Sequence, residues 1–228
     1  MIRAVAFDLD NTLWEVDPVI ARAEARWLEW LRENCPRIPE RLSVEDLRAS
    51  RMALAAREPH NAHDFTYLRI ASLAQHAREL GYDERISEQA FEIFIAERNQ
   101  LDLYPDVRPG LARLSTRYAL ASLSNGNADL DRIGLRRHFR HCISARDVGY
   151  AKPHAAIFEA ACAKLGVAPA RVLHVGDDPL LDVGGARDAG LRTAWLNRGG
   201  AAWSHGPSPD LTIADLNELA AWILARAA

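Results

Sequence analysis

Asp8-Leu9-Asp10-Asn11-Thr12 follows directly on Ile2-Arg3-Ala4-Val5-Ala6-Phe7. The apolar run predicts a buried strand, so two carboxylates stand where a strand ends. In open α/β folds, ligands bind outside the carboxyl ends of parallel strands. Like charges placed side by side away from water need compensation. A hard divalent cation supplies it, because such ions take oxygen ligands.

The rest of the chain is read outward from this stretch. Its 228 residues suffice for one sizeable core, or a core with a smaller inserted domain. The formal net charge is −3, and no Lys/Arg block breaks the mixture. A nucleic-acid polymer is therefore not an expected partner. Cys35, Cys142 and Cys162 are widely spaced and form no CxxC, against a disulfide framework or a zinc cluster. Met1-Ile2-Arg3 runs straight into the strand, with no signal peptide and no long uncharged apolar stretch. The expectation is a soluble cytoplasmic protein without a membrane partner, monomeric or homodimeric.

Residues 16 to about 98 read as helical, within an insertion bounded at 16–103. Asp17-Pro18 starts a helix carrying Ile20, Ala23, Trp27, Trp30 and Leu31 at helical spacing. Ser43 caps a second helix, Asp64 a third that closes at Gly81, and Ser87 a fourth. Turn-rich Tyr104-Pro105-Asp106-Val107-Arg108-Pro109-Gly110 marks a boundary. Beyond it, strands at Tyr118–Leu123, Cys142–Ser144, Arg171–Val175, Arg192–Leu196 and Leu211–Ile213 alternate with helices. These helices include Ala155–Leu165, Asp182–Ala189 and one capped by Asp215. Such alternation implies a doubly wound, Rossmann-like parallel sheet with helices on both faces. Residues 1–15 and 104–228 then form the core, and the helical stretch is an insertion.

Three later strand ends carry polar groups: Ser124-Asn125-Gly126-Asn127, Lys152-Pro153 and Gly176-Asp177-Asp178-Pro179-Leu180-Leu181-Asp182. Phosphoryl transfer needs such a set. A cation holds the anionic group, a carboxylate serves as nucleophile, and a second carboxyl serves as acid and base. A hydroxyl and backbone N–H groups bind the remaining oxygens.

Taken in order, these segments resemble the four motifs of the haloacid dehalogenase superfamily of phosphatases, over the whole chain. The helical insertion resembles that family's four-helix C1-type cap. The resemblance implies Asp8 as nucleophile and magnesium ligand. It implies Asp10 as general acid/base, with its backbone carbonyl on the metal, and Asp177 as a further ligand. Ser124 and Asn125 would bind phosphoryl oxygens, and Lys152 would bridge nucleophile and phosphate. Thr12 would orient the Asp10 loop, and Asp182 would hold Lys152 or a metal-bound water. Asp178 leaves open which of the doubled acids faces the metal; Asp177 keeps the family's gap to Asp182. Asp17-Pro18-Val19-Ile20, Ser124-Asn125-Gly126-Asn127 and His174-Val175-Gly176-Asp177-Asp178, with Asp182-Val183-Gly184-Gly185-Ala186, are similar to one bacterial branch. That branch acts on flavin mononucleotide and the phosphoribitylaminouracil intermediate of riboflavin synthesis. The implied activity is magnesium-dependent hydrolysis of a small phosphorylated metabolite through an aspartyl-phosphate.

Two alternatives share parts of this pattern. Carbon–halogen hydrolysis needs the nucleophilic carboxylate but neither metal nor leaving-group acid. Phospho-Asp receiver domains carry a similar acidic cluster but place the phosphoacceptor after a later strand. Within the insertion, His60, His63, Tyr67 and Arg69 form a candidate substrate-binding patch on or beside a loop. Gly184-Gly185 with Gly190 lacks GxGxxG spacing and reads as close helix packing. Trp27, Trp30 and Trp222 read as core, and His174 as a packed, hydrogen-bonded histidine.

Overall fold

A computed structural model describes residues 1–226. The chain forms two compact units. One comprises Val16–Leu101 with Asn127–Asp129, the other Met1–Glu15, Asp102–Gly126 and Leu130–Ala228. Residues 127–129, read from the sequence as core, join the helices. Asn127 Nδ2 donates to Thr66 Oγ1 (3.2 Å), and the Asp129 N–H donates to Asn99 Oδ1 (2.7 Å).

The helical unit contains α1 (Val16–Asn34), α2 (Arg37–Arg41), α3 (Val44–Arg57), α4 (Phe65–Glu79) and α5 (Ile86–Arg98). No strand occurs among its described residues. Ser43 caps α3 through a capping box with Asp46, and the Asp64 side chain caps α4. Two expected starts differ. Asp17 lies inside the first turn of α1, where its charge complements the helix dipole. Ser87 lies inside α5 and donates to the Glu84 carbonyl (2.7 Å) instead of capping. Trp27 and Leu31 of α1 pack with Leu73 of α4 and with Phe91 and Phe94 of α5. Trp30 is partly buried at the margin of this core.

The other unit holds a six-stranded sheet of β1 (Ala4–Phe7), β2 (Ala119–Ser124), β3 (His141–Ser144), β4 (Val172–Gly176), β5 (Arg192–Leu196) and β6 (Leu211–Ile213). Every pairing is parallel, in the order β3-β2-β1-β4-β5-β6. Its helices are α6 (Val107–Ser115), α7 (Leu130–Ile133), α8 (Ala145–Val148), α9 (Ala155–Leu165), α10 (Gly185–Asp188) and α11 (Leu216–Ala225). This is the doubly wound α/β architecture expected from the alternation. Every residue of β1 is buried, as in parallel sheets covered on both faces. β1 sits between β2 and β4, with Ala6 opposite both Ala121 and His174. The strand order reverses there, which opens a crevice at the carboxyl ends. On one face Ala4, Ala6, Ala121 and Leu123 pack on Ile157, Phe158 and Ala161 of α9.

The helix expected over 182–189 begins instead as a wide π-turn, Pro179–Gly184, followed by α10. Asp178 causes the widening. Its carboxylate takes the N–H groups of Leu180 and Leu181 (2.7 and 2.8 Å), and its carbonyl takes those of Asp182 and Val183. Such turns recur at functional sites. Trp222 is half-buried rather than core, with the Arg226 guanidinium 4.2 Å from its ring. Among the described residues, no helix is long and apolar enough to cross a membrane.

Gly185 is a packing glycine, as its spacing suggested. A Cβ there would lie 2.9 Å from Pro153 Cα and from the Phe158 ring. Gly185→Ala is expected to cost about 1–3 kcal/mol of stability through this overpacking, read as a lower midpoint in urea unfolding. An unchanged midpoint would show that the contact relaxes freely.

Candidate active site

The site grows from the end of β1. The Asp8 N–H still donates to the Val175 carbonyl (2.9 Å), so the ladder fixes Asp8 beside β4. The chain then turns sharply. Asn11 adopts φ +59°, in the left-handed region, and Leu13 N–H donates to the Leu9 carbonyl (2.7 Å). Arg198 holds this loop by donating to the Thr12 carbonyl (3.0 Å) while forming a bidentate pair with Asp106 (2.9 Å at each oxygen). The Thr12 hydroxyl donates to Asp177 Oδ1 (3.0 Å), and Trp14 Nε1 donates to Asp10 Oδ1 (2.8 Å).

Lys152 occupies the centre. Its Nζ donates to Asp8 Oδ1 (2.5 Å) and Asp182 Oδ1 (2.6 Å), and all three residues are buried. The Asn125 side chain clamps the Lys152 backbone at both ends: Nδ2 to the carbonyl (3.1 Å), Oδ1 from the N–H (2.7 Å). That side-chain amide therefore positions Lys152. Ser124 ends β2 with its Oγ accepting the Gly126 N–H (2.9 Å). Asp182 is fully engaged. Its Oδ1 also meets His174 Nε2 (2.9 Å), and its Oδ2 accepts the Asp178 N–H (3.1 Å). Gly176 makes room for it, since a Cβ there would lie 2.2 Å from Asp182 Cγ.

Three negative charges face one ammonium here. Carboxylate oxygens of Asp8, Asp177 and Asp182 lie within 4.8 Å of one another. Burial pushes the Asp8 carboxyl up to about 8, against the pull of Lys152. Burial and the Asp182 charge push Asp177 up to about 6. Burial alone would raise Asp182 too, but Lys152 and His174 hold it well below the carboxylate range. Burial lowers the His174 imidazole despite Asp182. Asp8 and Asp182 share one cation and titrate as a pair. The donors fit a hard divalent ion: clustered buried oxygens with uncompensated charge. Asp8 and Asp177 would hold it, while Asp182 is occupied by Lys152.

The structure thus brings together Asp8, Thr12, Lys152, Asp177 and Asp182, with Asn125 clamping Lys152. Asp178 caps the π-turn, which leaves Asp177 as the acid beside Thr12. His60 is exposed and His63 half-buried, both in the helical unit. Tyr67 there is committed to Glu58 (2.7 Å). Sequence reasoning missed Arg198, Asp106, Trp14 and Trp195, whose Nε1 donates to the Asp177 carbonyl (2.8 Å). Only the juxtaposition of distant segments reveals them.

A family model described as haloacid dehalogenase-like hydrolase matches residues 2–190. The chain belongs to this family. It is 33% identical over 199 residues to the 5-amino-6-(5-phospho-D-ribitylamino)uracil phosphatase YigB of Escherichia coli, covering 86% of this chain and 83% of the relative. It is 41% identical over 145 residues to a phosphoserine phosphatase of Thermus thermophilus, covering 61% and 58%. A solved structure titled 2-haloacid dehalogenase, from Pseudomonas syringae pv. Tomato, superposes with a TM-score of 0.95 at 37% identity over the full length of both chains. The protein is an enzyme, a hydrolase of this family, and the receiver-domain alternative falls away.

The raised carboxyls set a pH dependence. A group whose folded pKa lies above its unfolded value stabilises below the unfolded value and loses that stability as pH rises. Without divalent cation, stability is expected to fall as pH rises from the ordinary carboxylate range through about 8. Added magnesium should raise the melting temperature more above about pH 8 than near pH 6, because binding needs the ionised pair. An equal shift at both pH values, measured by thermal denaturation, would contradict this electrostatic account.

Proposed function

We propose that this hydrolase is a magnesium-dependent phosphomonoesterase acting on a small soluble metabolite. One observation carries the reading: buried Asp8, held by Lys152, faces Asp177 across a cluster with excess negative charge. Asp8 and Asp177 would hold the cation, whose positive charge would offset this cluster and the charge of the phosphoryl group. The residues divide the remaining work. An Asp8 carboxylate oxygen attacks phosphorus, and the bond to the leaving oxygen breaks as Asp10 donates a proton to it. Lys152 and the Ser124 hydroxyl hold phosphoryl oxygens. Asp10 then takes a proton from water, the water oxygen attacks phosphorus, and the Asp8–phosphorus linkage opens to release phosphate. Arg198 and Trp14 keep the Asp10 loop in place for both proton transfers.

The finer reading is flavin mononucleotide or the phosphoribitylaminouracil intermediate as substrate; the relative named for a phosphatase of the latter supports the latter alone. The expected setting is cytoplasmic, with no nucleic-acid or membrane partner, and His60 and His63 remain proposed substrate contacts. The 37% identical structure titled as a dehalogenase favours a second reading, carbon–halogen hydrolysis. That chemistry has no use for Asp10 as an acid or for the acidic partner Asp177, which weighs for phosphate.

Phosphate release from flavin mononucleotide, phosphoserine, sugar phosphates and an aryl phosphate, with and without magnesium, tests the proposal. Release is expected to require magnesium and to vanish in Asp8→Asn. Asp10→Asn should lower turnover by roughly 10²–10⁴-fold, the usual loss of a general acid. Chloride release from haloacids without phosphate release would establish the second reading instead.

A further inference from the structure

The helical unit contains a cavity of about 290 Å³ whose chemistry the phosphatase reading does not use. Arg48 and Arg51 of α3 and Arg69 of α4 line it. All three converge on one carboxylate, Glu24 of α1, at 2.9, 3.2 and 3.3 Å. Among the described residues, no carboxylate lines the cavity itself. Arg48 is more than half exposed, so the buried members, Arg51 and Arg69 against Glu24, leave an excess of one positive charge.

A purely structural ion pair would match charge with charge, because burying excess charge is costly. Arg69 departs furthest from that. Its side chain is only 10% exposed, and its guanidinium lies 3.6 Å from the Phe94 ring centre. Its Nη1 is buried without a hydrogen-bond partner among the described residues. Burial and the Arg51 charge pull its pKa down to about 9, so Glu24 does not fully compensate it. Such an orphaned donor is rare in a folded interior. Part of the lining is apolar. Met52 of α3 and Phe65 of α4 line the same cavity and are 69% and 49% exposed, a pair of large apolar side chains open to solvent together.

We infer that this cavity binds an organic anion, a carboxylate or phosphate borne on an apolar or aromatic body. The anion would bridge Arg69 Nη1 and Arg51, and its body would cover Met52, Phe65 and the Phe94 ring. The anion is either part of the substrate or a separate small ligand.

The test uses the full-length protein, benzoate and 2-naphthoate as probes, and benzamidine as a cation of matching shape. Calorimetry is expected to show binding of both carboxylates and none of benzamidine. Arg51→Gln should weaken carboxylate binding by about tenfold or more, the worth of one charge-assisted hydrogen bond. Arg69→Gln should do the same. If that variant fails to fold, Arg51→Gln and Arg48→Gln carry the test. Carboxylate binding that is absent from the folded wild type, or equal in wild type and Arg51→Gln, would overturn the site. So would equal binding of benzamidine. Because the readout is binding, it stands apart from hydrolysis. Where turnover is measurable, benzoate raising only KM for an aryl phosphate assigns the cavity to the substrate. Benzoate altering kcat assigns it to a separate ligand.

Discussion

One buried ammonium shared by two carboxylates organises the catalytic unit. Lys152 sits 2.5 Å from Asp8 and 2.6 Å from Asp182, and Asp177 adds a third carboxylate to the cluster. Burial works against a charge on His174, which bonds Asp182 all the same. The ammonium cannot neutralise the set alone. Its cost falls on Asp8 and Asp177, whose carboxyls are pushed up to about 8 and 6. Asp182, which holds the lysine and His174 together, is pulled down instead. Asp182 thus anchors the lysine, while Asp8 and Asp177 carry the cost of the charge left over.

Holding three carboxylates this close requires backbone that leaves space. β1 delivers Asp8 from the middle of the sheet, and β4 delivers Asp177 from its neighbour. Gly176 lets Asp182 fold back over the strand end. The π-turn at Pro179–Gly184 then brings Asp182 within reach of Lys152 and His174. Arg198 and Asp106 perform the equivalent service for the loop after β1, tying the Thr12 carbonyl to the start of α11 through Leu216 N–H (2.8 Å). Each support is a close approach or a charge-assisted bond, so small displacements there move reacting groups.

Much of this was legible in the chain because local rules governed it. β1 is a short apolar run ended by acids, α9 stops at Gly166 in a left-handed conformation, and the Ser43 capping box sits where its spacing puts it. Local rules failed where a side chain satisfied backbone groups in an unexpected way. Asp178 diverted a regular helix into a π-turn, and Ser87 bonded backward instead of capping. Nor does any local pattern connect Arg198 to Thr12, or Arg48, Arg51 and Arg69 to Glu24, since those partners are far apart in sequence. Arg48 and Arg51 did carry a faint signal: at i and i+3 they share one face of α3.

The charge balance of the core also bears on which reaction this architecture suits. A haloacid brings a carboxylate and expels a halide ion, so negative charge would accumulate beside three carboxylates. A phosphate monoester brings more charge still, but together with a divalent cation. Asp8 has only a share of Lys152 and burial raises Asp177 as well, so such a cation would relieve both. The Asp10 carboxylate accepts a hydrogen bond from Trp14. The clustered acids suit a reaction that brings a divalent cation to them, as phosphate ester hydrolysis would and halide displacement would not.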